Sequence, residues 1–135
     1  MAYLGTSINE SPVIAELAGA TIADVRGKAV KHSSGNVVLC STAGEAVLGV
    51  GIMTNGENLQ AGDQVDIQIK DIGALRAGGT IAKGDELAVD ATGCFVKATD
   101  GQDVFAIALD AGAKDEYVRS MIVRYKKAAA GGVGG

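Results

Sequence analysis

The chain has 135 residues, of which 47% are apolar, 21% charged and 4% aromatic, with 20 Gly, one Pro, no Trp and a net charge of -4. The acidic balance argues against nucleic acid as a partner, because neutralising phosphates takes clustered Lys and Arg. The supply of Val, Ile and Leu argues against disorder, and no run reaches the roughly 18 apolar residues of a membrane span, so a membrane partner is not expected either.

In chain order, residues 1–24 mix apolar and polar types without a helical period, and Pro12 interrupts them. They read as an extended N-terminal arm. Within it Val13, Ala15 and Leu17 alternate with Ile14 and Glu16, the period of a segment able to add to a sheet edge. Residues 27–31 and 37–40 flank Ser33, Ser34, Gly35 and Asn36, a turn-forming set, and predict a hairpin. The run AVLGVGIM (46–53) is apolar on both faces, as a doubly buried strand or a subunit contact would be. A loop, TNGENLQAGD, leads to QVDIQIK (64–70), in which Val65, Ile67 and Ile69 alternate with Asp66, Gln68 and Lys70.

The stretch DIGALRAGGTI (71–81) then links to a second half that repeats the scheme. Residues 85–89 and 94–98 flank a turn over 90–93, VFAIALD (104–110) stands for VLGVGIM, and SMIVRYK (120–126) stands for QVDIQIK. Gly27 aligns with Gly84 and Val50 with Ile107 in constant register, with a one-residue slip near the last strand. The expected fold is all-β, a small barrel or sandwich of short strands built from two similar strand-turn-strand units sharing a core. The division is an arm at 1–24, a β-domain at 25–127 and a flexible Ala/Gly tail at 128–135.

Chemistry is sparse. His32 is the single histidine and has no nucleophile elbow near it, so a catalytic triad has no sequence support. Neither a phosphate-binding G-x-x-x-x-G-K-[ST] loop nor a strand-to-helix G-x-G-x-x-G occurs. Cys40 and Cys94 form no C-x-x-C pair; they occupy similar places in the repeats and read as small buried hydrophobes, a disulfide between them being conceivable. Asp100 to Asp103 lack the spacing of a calcium loop, and Arg124, Lys126 and Lys127 read as the solvated end of a strand. No cofactor, metal or enzymatic activity is expected.

The progression RGKAVKHSSGNVVLCSTAGEAVLGVGI, followed by LQAGDQVDIQIKDIGALRAGGTIAKGDELAVDATGCFVKAT, resembles the capsid decoration, or cement, proteins of tailed bacteriophages. The likeness spans residues 25–126 and rests on turn-and-strand patterns at 27–30, 37–39, 47–51, 61–67 and 79–93. It implies a β-rich protein, made in the host bacterial cytoplasm, that binds the outer surface of the expanded capsid and reinforces contacts between major capsid protein subunits, in many members as a homotrimer. On that reading Tyr3, Leu4, Ile8, Val13, Ile14 and Leu17 of the arm anchor it to the capsid or a neighbouring subunit, and Val47, Val50 and Ile52 are candidates for self-association. The alternative is a ligand- or carbohydrate-binding β-module or head-fibre base. Against a glycan site stands the lack of Trp and the presence of only three Tyr.

Overall fold

A computed structural model describes residues 11–129. Over that range the fold is all-β: β1 (Val13–Leu17), β2 (Ile22–Ala23), β3 (Ala29–Ser33), β4 (Asn36–Leu39), β5 (Gly49–Gly51), β6 (Asn58–Leu59), β7 (Gln64–Gln68), β8 (Ile72–Arg76), β9 (Glu86–Val89), β10 (Phe95–Lys97), β11 (Asp103–Ala108) and β12 (Tyr117–Lys126). One five-stranded sheet runs β1-β7-β5-β3-β4 and the other β8-β12-β11-β9-β10, with antiparallel neighbours throughout. Each sheet curls until its edges touch, Ala18 bridging Val37 in the first and Ala77 bridging Phe95 in the second. The molecule is thus two small barrels, each closed by one parallel bridge.

Local sequence explains the strands. In β7 Val65 and Ile67 are buried while Gln64 is exposed and Asp66 and Gln68 are half-buried, the period of two set by the pleat. The β3–β4 hairpin turns on Ser34 (φ 50°) and Gly35 (φ 84°), the two successive positive angles of a tight hairpin turn. Gly49 and Gly51 allow close crossings in β5: a Cβ would stand 2.4 Å from the Gln68 carbonyl oxygen and 2.3 Å from that of Val25.

The two barrels are one design used twice, down to hydrogen bonds outside the ladders. Ala18 N–H donates to Asp63 O, mirrored by Ala77 to Glu116; Cys40 donates to Ala29, mirrored by Ala98 to Glu86; Gly51 donates to Lys28, mirrored by Ala108 to Asp85. The duplication is wider than the expected one. Residues 13–17, assigned to an arm, form β1 and pair with β7 of the same chain, so the β-domain begins well before residue 25. Residues 72–76, assigned to a linker, form β8, the counterpart of β1. The last strand also shifts: Ile69 donates to Pro12 as Ile122 donates to Asp71, so QVDIQIK matches YVRSMIV rather than SMIVRYK. Cys40 corresponds to Ala98, not to Cys94, and both cysteines are free, buried thiols.

Each barrel has its own core rather than a share of one. Ile22, Val25, Val30, Val37, Val65 and Ile67 fill the first, and Leu75, Ile81, Leu87, Phe95, Phe105 and Val118 dominate the second. Ala29, Cys40, Val47 and Val50 cross over, leaving the first barrel to pack in the second core. Main-chain bonds fix the joint: Ala29 N–H to Gly93 O at 2.7 Å, Arg76 N–H to Gly27 O at 2.8 Å, Gly44 N–H to Val89 O at 2.8 Å and Asp103 N–H to Gly44 O at 3.0 Å.

Candidate interaction surfaces

The strand β1 presents Val13 and Leu17 outward, Leu17 at 50% exposure, while Ile14 turns in against the first core. These three share one strand but two faces, so only Val13 and Leu17 are available to a partner. Tyr3, Leu4 and Ile8 lie outside the described residues. Val47 and Val50 are 7% and 1% exposed. The apolarity on both faces of AVLGVGIM is used between the two barrels, so these two valines offer nothing to another subunit. Ile52 is half-buried, at the lip of a groove.

That groove, of about 540 Å³, runs between the barrels and is lined by Ile52, Met53, Gln68, Ile72, Tyr117 and Arg119. Met53, Ile72 and Tyr117 are each more than a third exposed. An exposed ion pair, Arg119 with Asp110 at 3.2 Å, borders it. A second hollow, a slot of about 290 Å³, lies beside β1 and is bounded by Ala15, Glu16, Leu17, Gly35, Asn36 and Gln64. It is the gap left where β1 and the β3–β4 turn diverge from their single bridge.

Polar groups brace the joint. Arg26 binds Asp24 at 2.7 Å, and Arg76 reaches Asp24 and Asp115, each at 3.5 Å. The side-chain bond from Arg26 holds the Asp24 carboxyl below its usual range. Arg124, expected at a solvated strand end, is exposed as a residue, yet its guanidinium is engaged: it donates to the carbonyls of Val47 (2.5 Å), Leu48 (2.7 Å) and Ile69 (2.9 Å) across the joint. Burial pulls its pKa down, yet an arginine starts so high that it stays charged. Lys127 and Tyr125 both bind Glu86, each at 2.5 Å, so that basic cluster is an internal brace.

Among the described residues, reactive side chains do not converge. Burial pushes the Cys40 thiol up to about 12, and His32 is exposed on β3. Among the described residues no three His, Cys, Asp or Glu side chains are grouped to hold a metal ion.

No protein-family model and no curated protein sequence matches the chain. Among solved structures, the head fiber gp8.5 N base of bacteriophage phi29 superposes with a TM-score of 0.63 at 20% identity, over 84% of this chain and 95% of that one. The double-barrel architecture is therefore shared with the base of a phage head fibre.

Proposed function

We propose that this chain is a structural protein of a phage head, a decoration or cement protein that binds the exterior of the expanded capsid and stabilises contacts between major capsid protein subunits. The observation that carries the reading is the near-complete superposition on a head-fibre base, which agrees with the resemblance of residues 25–126 to capsid decoration proteins. The role is non-enzymatic and needs no cofactor. Two barrels locked by main-chain bonds and the Arg124 clamp make a stiff body, and a stiff body adds strength to a shell only if it touches several subunits at once. Copies associate as a homotrimer, each contact turning the next into an intramolecular step.

The same superposition supports a second reading, that the chain is a fibre base whose task is attachment rather than reinforcement. Purified protein mixed with expanded capsids lacking it separates the two. Saturable co-sedimentation at a fixed ratio, with particles more resistant to heat, establishes cement. Binding without added resistance establishes a fibre base, and absence of binding to the capsid overturns both.

A further inference from the structure

The duplicated design makes the two barrels each other's control, and one difference between them lies beside β1. In the second barrel, the gap between β8 and the β9–β10 turn is filled. Residues Gly27, Lys28 and Ala29 run through it in single file, the Gly27 carbonyl accepting from Arg76 N–H on the β8 edge and Ala29 N–H donating to Gly93 O on the turn. Gly27 is suited to this passage, with φ +71° and a would-be Cβ only 3.0 Å from Arg76 N. In the first barrel the matching gap lies between β1 and the Gly35 turn, with Leu17 in the place of Arg76. There it is the 290 Å³ slot, and among the described residues a Cβ on Gly35 would meet nothing within 4 Å.

Among the described residues, the edge of β1 is open to match. Pro12 and Ala18 bond toward β7 and its flanking loop, which in an antiparallel ladder turns the backbone groups of residues 13, 15 and 17 the other way. Ser11 Oγ accepts from Val13 N–H and donates to Val13 O. The N–H and C=O of Ala15 and the N–H of Leu17 face the slot. Such an edge is a template for an incoming strand.

Resting on the proposed role as a self-associating head protein, we infer that the slot receives an extended segment from residues 1–10 of a second copy, with Gly5 taking the place that Gly27 holds in the second barrel. The sequence Gly5-Thr6-Ser7 repeats the pattern of Gly27-Lys28-Ala29, glycine then a small residue two positions on. The donor segment roots at the foot of β1, the strand that accepts it. Copies gathered around an axis beside β1 therefore exchange segments over a short path, well inside the roughly 33 Å that ten extended residues span. The chain's own segment is a poor occupant, because folding back on β1 requires the Val13 groups that Ser11 already holds. The same slot in reverse, the Gly84 turn of one copy entering the slot of the next, is opposed by Glu86, which stands where Ala29 stands and is tied to Tyr125 and Lys127.

The test is amide hydrogen exchange on the full chain, without capsid, at low and high protein concentration. The Ala15 and Leu17 amides should be protected at least about tenfold more at high concentration, and Gly5→Val should abolish that gain. Thr6→Cys with Leu17→Cys should cross-link between chains under oxidation. Concentration-independent exchange at both amides, or a cross-link confined to single chains, overturns the inference. Because capsid is absent, failure here is distinct from failure of capsid co-sedimentation, which tests the proposed function separately.

Discussion

Arg124 lies with its guanidinium carbon 5.0 Å from the centre of the Phe105 ring, and from there its N–H groups reach three carbonyls of the first barrel. One side chain of β12 thus stacks on the second core while it closes the joint. Arg124→Met would leave the Val47, Leu48 and Ile69 carbonyls without this donor, and a destabilisation of about 2–4 kcal/mol is expected from urea unfolding. Arg124→Lys should recover only part, since an ammonium cannot span three acceptors as a planar fork does. A loss under about 0.5 kcal/mol, the level of an ordinary surface change, would refute the clamp.

Gly27 and Gly84 occupy equivalent positions with φ of +71° and +91°, but their surroundings differ. Alanine at either meets the left-handed strain of about 1–2 kcal/mol. At Gly27 it also meets the Tyr117 ring at 2.7 Å and the Arg76 backbone nitrogen at 3.0 Å, whereas at Gly84 it meets nothing within 4 Å. Thermal melts should therefore rank Gly27→Ala clearly below Gly84→Ala, and equal midpoints would contradict the joint described.

Truncation separates a terminal segment from a strand. Removing residues 2–10 should leave the melting transition in place, because β1 and its pairing with β7 remain. Removing residues 2–17 deletes β1, uncovers β7 and the Ile14 side of the first core, and should yield an aggregation-prone, partly unfolded chain. Circular dichroism and light scattering on the two truncations check this, and a normal melt for the longer deletion would show that β1 is dispensable.

Acid should loosen the joint. The Asp24 carboxyl, bonded to Arg26, titrates below its ordinary value of 3.8 when folded. Its contribution is therefore complete above the unfolded value and is lost as pH falls through the lower folded one. Asp24→Asn should make the stability curve shallower below about pH 4, and leave its slope near neutrality unchanged. An identical acid limb in the variant would remove Asp24 from the account.

Thiol chemistry offers a direct probe of packing. With Cys40 and Cys94 both buried and the Cys40 thiol pushed to about 12, neither should react with a thiol reagent at pH 8 in the native protein. Both should react on denaturation. Rapid native labelling of Cys40 would mean that the joint between the barrels opens.

Much of the fold was legible because it is written in local terms. The alternation of Val65, Ile67 and Ile69, the Ser34-Gly35 turn and the repetition of RGKAVKHSSG by KGDELAVDATG each reflect a pleat or a positive φ, which act over two to four residues. The sequence carries a further signal: AGATIA at 18–23 recurs as AGGTIA at 77–82, and it marks β1 and β8 as the first strands of the two units. What sequence alone determined is therefore a duplicated, turn-rich β chain. What only tertiary structure decided is the use of each apolar or charged surface. Val47, Val50 and Arg124 look free in the sequence and are consumed at the joint, while the edge of β1, the counterpart of β8, is left open among the described residues. The reason is physical: burial and hydrogen bonding between residues tens of positions apart depend on how two like barrels dock, and the short-range periods that build each barrel carry no information about that angle.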